Sequence, residues 1–186
     1  GYVVAKAPGG LRGARVVFPK VSVGATHNVL MAATLARGET VIENAAREPE
    51  VADVAECLVK MGAKIEGIGT STLRIQGRDR LEGATHTVLP DRIEAGTLLA
   101  AAAMLPGGDV KVTGIAPESL GVVLDKFRET GLEVEVGADW ARVRRSASFR
   151  GLRVKTAPFP GFPTDMQAQF MAMLTQADGV SAISEN

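Results

Sequence analysis

The 186 residues carry 21 Lys plus Arg against 21 Asp plus Glu, two His and one Cys, and 46% of them are hydrophobic. Balanced and scattered charge gives no basic field for nucleic acid, the lone Cys57 closes no internal disulfide, and the two histidines have no metal-ligand cluster around them. The longest nearly apolar stretch, Ala95 to Leu105, holds Gly96 and Thr97 and falls short of the roughly 20 residues that cross a bilayer. A soluble α/β protein of a reducing cytoplasm is expected, with no metal, cofactor, nucleic-acid partner or membrane.

In chain order, Tyr2 to Ala5 and Ala14 to Phe18 read as two short Val-rich strands around Pro8-Gly9-Gly10, and a hairpin is expected there. Ala25 to Leu35 follows Lys20-Val21-Ser22-Val23-Gly24 and reads as a helix with almost no polar face, which has to be buried on all sides. Gly38 ends it, and Thr40 to Glu43 reads as a strand. Glu48-Pro49 opens a second helix in which Val51, Val54, Ala55, Leu58 and Met61 recur at helical spacing. Cys57 lies within this helix and is expected to be a small buried thiol. Gly62 stops the helix, and strands at Lys64 to Glu66 and Thr72 to Gln76 close the unit.

The order then repeats. Leu81-Glu82-Gly83 answers Leu11-Arg12-Gly13, a strand at Thr85 to Val88 answers Ala14 to Phe18, and an apolar helix through Leu98 to Met104 answers the first one. Gly107 follows Gly38 and Gly131 follows Gly62, each 69 residues on (107 − 38 and 131 − 62). A strand at Asp109 to Thr113, an amphipathic helix from Pro117 and strands at Glu133 to Val136 and Ala141 to Arg144 complete the second unit. A third begins at Phe149-Arg150-Gly151, runs through a strand at Leu152 to Lys155 and a helix to Thr175, and breaks off after Gly179. A fixed period of this kind means repeated structural units. Their polarity places the apolar helices inside and the half-polar strands in sheets over them. A chain that opens at Gly1 without methionine and stops at Asn186 in a strand-like stretch is expected to be a fragment of something longer.

The repeat aligns three helix starts, with Ser22, Asp91 and Thr164 as caps. Asp91 with Glu94, and Thr164 with Gln167, fit the capping-box spacing. Free N–H groups and positive dipole ends at such starts attract anions, so Lys20 reads either as a phosphate ligand or as a solvated strand-end lysine. Asp165, at the first helical position after Thr164, likewise has two readings: it complements the helix dipole, or it serves as a base. His27 and His86 occupy ordinary helix and strand positions, and no role is read for them.

Four segments together carry a family resemblance: Lys20-Val21-Ser22-Val23-Gly24-Ala25-Thr26, Glu43-Asn44-Ala45-Ala46-Arg47-Glu48-Pro49-Glu50, Leu89-Pro90-Asp91-Arg92-Ile93-Glu94-Ala95-Gly96-Thr97 and Phe162-Pro163-Thr164-Asp165-Met166-Gln167-Ala168-Gln169. Over essentially its whole length the chain resembles the UDP-N-acetylglucosamine 1-carboxyvinyltransferases, the enolpyruvyl transferases of early peptidoglycan synthesis. The resemblance implies an inside-out α/β barrel fold, enolpyruvyl transferase-like, in two domains of similar units. Residues 1–89 would be the later part of one domain and 90–186 a truncated part of the second. It also implies transfer of the enolpyruvyl group of phosphoenolpyruvate to the 3-hydroxyl of UDP-N-acetylglucosamine through a tetrahedral intermediate, with release of phosphate. Carried over by position, Lys20, Val21, Ser22, Val23 and Gly24 would hold the UDP part and Asp165 would take the 3-hydroxyl proton. Thr164, Glu48, Glu50, Asp91 and Arg92 would line the cleft. The family's lysine near the N-terminus, its catalytic-loop cysteine, its phosphoenolpyruvate-binding arginines and its late C-terminal segment have no counterparts here, and Cys57 is not that cysteine. The chain alone is expected to be inactive. The sister transferase acting on shikimate 3-phosphate and a non-catalytic binding module of the same fold are the alternatives.

Overall fold

A computed structural model describes residue 2 and residues 4–185 of the chain, which divides into two compact units, Gly1–Val88 and Leu89–Asn186. In the first, β1 (Arg15–Val17), α1 (Val23–Ala33), β2 (Glu39–Glu43), α2 (Pro49–Lys60), β3 (Lys64–Glu66) and β4 (Thr72–Gln76) follow one another. The sheet order is β1-β2-β4-β3, parallel between β1 and β2 and antiparallel elsewhere. Period-two alternation turns Thr40 and Ile42 of β2 and Leu73 and Ile75 of β4 inward, and they meet Leu30 and Ala33 of α1 and Val51, Ala55 and Leu58 of α2.

The second unit holds α3 (Arg92–Ala101) with a 3-10 turn at Ala102–Met104, β5 (Asp109–Thr113), a 3-10 turn at Pro117–Leu120 leading into α4 (Gly121–Glu129), β6 (Glu133–Val136) and β7 (Trp140–Arg144). These strands form an antiparallel sheet in the order β5-β7-β6. Then come β8 (Arg153–Lys155), a 3-10 turn at Thr164–Met166, α5 (Gln167–Leu174) and β9 (Ala182–Ser184), with β8 and β9 paired in parallel. The core is aromatic: Phe170 stacks on Phe127 at 5.0 Å between centroids and meets the edge of Phe162 at 4.7 Å.

The repeat is visible in the backbone. Gly38, Gly107 and Gly179 close the apolar helices at φ 91°, 72° and 89°, and Gly62 and Gly131 close the amphipathic ones at 97° and 93°. A side chain at such a φ would strain the turn, which is why these positions keep their spacing. Three expectations are corrected. First, Tyr2, Val4 and Ala5 form no strand, Val3 lies outside the described residues, and β1 pairs in parallel with β2, so no hairpin forms. Second, Thr85–Val88 is extended but unpaired. In the other two units the segment before the apolar helix pairs with the strand after it, β1 with β2 and β8 with β9. Glycine packing shows the same difference. A Cβ at Gly13 or Gly151 would strike the carbonyl of Glu39 or Val180 at 2.1 or 2.7 Å, whereas one at Gly83 would meet open space.

Third, the apolar helices are not covered all round. Each buries one stripe, Thr26-Leu30-Ala33, Ala95-Leu99-Ala102 and Met166-Phe170-Met173, while Met31, Leu98 and Met171 remain 46%, 48% and 54% exposed. Strands and neighbouring helices cover part of each helix, and these three side chains stand outside that cover. None of the described sheets closes into a barrel. The unit 2 sheet neutralises its own outer face: Arg142 donates to Asp109, Arg144 reaches Glu133 at 3.1 Å and Glu135 at 2.6 Å, and the Lys111 ammonium lies 3.9 Å from the Trp140 ring centroid.

Two measurements check this account. Phe170→Ala removes a ring that is fully buried between two others and is expected to cost about 3–5 kcal/mol in chemical denaturation. On the edge of the first sheet, Arg15 donates to the Glu43 carboxylate at 2.9 and 2.8 Å. That hydrogen bond, aided by the guanidinium charge, holds the Glu43 carboxyl below its ordinary 4.5. A depressed carboxyl contributes stability that is present above its unfolded value and lost as pH falls through the folded one. Arg15→Ala is therefore expected to lower the melting temperature slightly at about pH 7 and to leave it unchanged at about pH 2.

Candidate functional site

Unit 1 gathers two of the sequence-predicted segments at the start of α1. Ser22 caps the helix, its hydroxyl accepting from the Ala25 N–H at 3.3 Å. Its carbonyl accepts from the Thr26 N–H at 3.0 Å and from the Thr26 hydroxyl at 2.7 Å. The same hydroxyl, fully buried, accepts the Ala46 N–H at 3.0 Å. Thr26 therefore ties the helix start to the loop that leads into α2. Asn44 completes the tie: it adopts φ 58°, and its side-chain amide donates to the Phe18 carbonyl at 2.9 Å. Asn tolerates this left-handed conformation better than other side chains except Gly.

Lys20, Val21, Ser22 and Gly24 are exposed on this tie and Val23 is half-buried. Beyond the loop, Glu48 is buried at the α2 N-cap, Pro49 takes the first helical position and Glu50 lies in the first turn. The helix start with an exposed ammonium beside it can hold an anion.

Unit 2 gathers the other two segments. The Asp91 carboxylate caps α3, accepting from the N–H groups of Ile93 at 2.8 Å and Glu94 at 3.0 Å. Arg92 is buried with its guanidinium carbon 5.8 Å from the Phe159 ring centroid. The predicted Thr164–Gln167 capping box does not form. The helix begins as a 3-10 turn with Pro163 at its cap position, and Thr164 donates its hydroxyl to Glu185 instead. A 3-10 turn closes on i→i+3 bonds, seen here as Met166 N–H to Pro163 carbonyl at 3.1 Å. Asp165 is consequently the second residue of this turn, exposed to solvent.

What holds Asp165 in place is its neighbour. Met166 is fully buried in the notch at Gly96, where a Cβ would stand 2.9 Å from the methionine sulfur and methyl. Gln169 adds a polar link, donating to the Thr97 hydroxyl at 2.9 Å, while Thr97 donates to the Ile93 carbonyl at 2.7 Å. The two predicted segments of this unit are thus interlocked at Gly96 with Met166 and at Thr97 with Gln169. Sequence reasoning missed Thr26, Asn44 and Gly96 as the residues that hold these segments. Only Asn44, an αL-prone residue at a strand end, carried a readable signal.

The profile of the EPSP synthase (3-phosphoshikimate 1-carboxyvinyltransferase) family matches residues 1–186. The chain belongs to that family. Among curated relatives, the UDP-N-acetylglucosamine 1-carboxyvinyltransferases of Xanthobacter autotrophicus and Azorhizobium caulinodans are each 60% identical over all 186 residues. The corresponding protein of Zymomonas mobilis is 59% identical. The chain spans 43% of each of these relatives.

The enolpyruvyl transferase NikO from Streptomyces tendae superposes with a TM-score of 0.78 at 27% identity, covering 87% of this chain and 39% of that one. An EPSP synthase from Acinetobacter baumannii superposes at 0.63 and 21% identity, covering 94% and 40%, and adds the fold alone. The fold is thus the enolpyruvyl transferase type, in open sheets. Among the described residues no group of His, Cys, Asp and Glu could hold a metal ion, and no helix is long and apolar enough to cross a membrane. Cys57 is half-buried on α2.

Asp91 is the most directly testable support of this site. Replacing it with Ala orphans the N–H groups of Ile93 and Glu94 and is expected to cost about 1 kcal/mol in chemical denaturation, with Asp91→Asn recovering most of it.

Proposed function

We propose that the chain is part of a UDP-N-acetylglucosamine 1-carboxyvinyltransferase, which moves the enolpyruvyl group of phosphoenolpyruvate onto the 3-hydroxyl of the nucleotide sugar and releases phosphate. The observation that carries this reading is 60% identity, across every residue of the chain, to relatives of that name. In this reading Gly1–Val88 and Leu89–Asn186 belong to two inside-out α/β domains, and the reaction supplies peptidoglycan synthesis in the cytoplasm, for cell-wall growth, shape and division. No cofactor is required, because phosphoenolpyruvate carries the group transferred.

In this reading the residue roles are those that the family resemblance implies. Lys20 to Gly24 hold the diphosphate of the UDP moiety, with the ammonium and the α1 N–H groups as anion ligands. Asp165, exposed on a turn locked by Met166, accepts the proton of the 3-hydroxyl as that oxygen bonds to the enolpyruvyl carbon. The methylene carbon of phosphoenolpyruvate takes up a proton in that addition, and the tetrahedral intermediate gives a proton back from the same carbon as phosphate leaves, which restores the carbon–carbon double bond. Glu48, Glu50, Asp91, Arg92 and Thr164 are assigned to the lining of the substrate cleft.

The family description by itself favours shikimate 3-phosphate as acceptor, whereas the closely similar relatives favour the nucleotide sugar. Competition between the two acceptors in a phosphate-release assay on the full-length enzyme separates these readings, with turnover expected only on the nucleotide sugar. In the same assay Asp165→Asn is expected to lower kcat by at least about a hundredfold while KM moves only severalfold. Unchanged turnover would leave Asp165 with a structural role in its turn.

A further inference from the structure

The segment 81–88 is written as the start of a unit but is used differently. Its counterparts pair as strands with β2 and β9, yet among the described residues β5 pairs with β7 alone. The segment stays with unit 1 instead. Leu81 packs against the first core, and the Glu82 N–H donates to the Met61 carbonyl at the end of α2 at 2.9 Å.

Further along, His86 lies against α2 and is bonded at both ring nitrogens. Its Nε2 is 2.9 Å from Asp53 Oδ1 and its Nδ1 is 3.0 Å from Lys60 Nζ. The side chains of His86 and Asp53 are 9% and 17% exposed. Asp53 and Lys60 stand about two turns apart on one helix face, so the imidazole bridges them lengthwise.

The donors fix the chemistry. A lysine ammonium offers only N–H donors, so Nδ1 must accept; the ring proton then resides on Nε2, where a carboxylate accepts it. Both bonds are charge-assisted; the one to Asp53 is part-buried, which limits competition from water, and the one to Lys60 is exposed. No alternative tautomer satisfies both partners.

We propose that Asp53, His86 and Lys60 form a clasp that commits residues 83–88 to unit 1 and fixes where the chain leaves it. His86 is a positioning residue, acting only on the segment ahead of Asp91. The clasp replaces the strand pairing that the other two units use.

Nitrogen-15 NMR of the full chain near neutral pH tests it. The His86 ring proton is expected on Nε2 with Nδ1 as acceptor, and Lys60→Met is expected to shift the Nδ1 resonance while leaving the Nε2 proton in place. Backbone order parameters over 84–88 are expected near about 0.85 in the parent and below about 0.6 in His86→Leu. His86→Gln, whose amide still donates to Asp53, is expected to restore most of the order that the leucine loses. A proton on Nδ1 in the parent would overturn the clasp, as would unchanged order in His86→Leu or a glutamine that restores nothing. Should the leucine variant fail to fold, the parent's tautomer and the response to Lys60→Met decide by themselves.

Discussion

A helix with no polar face has to be covered, and the rest of this molecule follows from that constraint. Each of the three apolar helices lays a stripe of small and large residues, such as Ala95, Leu99 and Ala102, under strands whose inward positions are apolar. Burial of this kind is worth on the order of 25 cal/mol per Å², and it fixes the helix axis against the sheet. Once the axis is fixed, so is the helix start. The exposed side chains there, Lys20 and Ser22 in one unit and Asp91 in the other, stand on backbone that cannot drift.

The starts are then tuned individually by bonds that do not repeat. Thr26 links α1 to Ala46 through one buried hydroxyl, α3 relies on the Asp91 carboxylate, and the third start replaces a side-chain cap with a 3-10 turn seated by Met166. The third solution has a consequence for chemistry. Had the Thr164–Gln167 box formed, Asp165 would open the helix proper, whereas here it stands exposed as the second residue of a tight turn. Gly96 supports this from a distance, because only a residue without Cβ leaves room for the methionine that anchors the turn.

Elements set by local chemistry could be read from the sequence. Gly38, Gly62, Gly107 and Gly131 marked the helix ends and do take positive φ. The Ser22 and Asp91 caps and the period-two strands of β2, β4, β5 and β7 were legible for the same reason. Elements set by partners distant in sequence were not. Tyr2, Val4 and Ala5, like Thr85–Val88, have strand composition, but a strand exists only when an edge is presented to it, and no local pattern reports that edge. Thr164 has the right spacing for a capping box, yet Glu185, 21 residues on, takes its hydroxyl. Met31, Leu98 and Met171 show that an all-apolar helix states a need for cover without stating where the cover comes from.

His86 shows why a repeat in sequence need not be a repeat in pairing. Residues 81–88 retain the Leu-x-Gly opening of residues 11–13 and the glycine of Phe149-Arg150-Gly151, so the same backbone chemistry is available to pair them with β5. Here, however, an imidazole meets a carboxylate and an ammonium already aligned on α2. A few strand hydrogen bonds, each worth about 1 kcal/mol net, compete here with two charge-assisted ones of about 1.5–3. The two sides are close enough that a single side chain can decide to which unit the segment belongs. The end of unit 1 is therefore held by side-chain polarity as well as by burial.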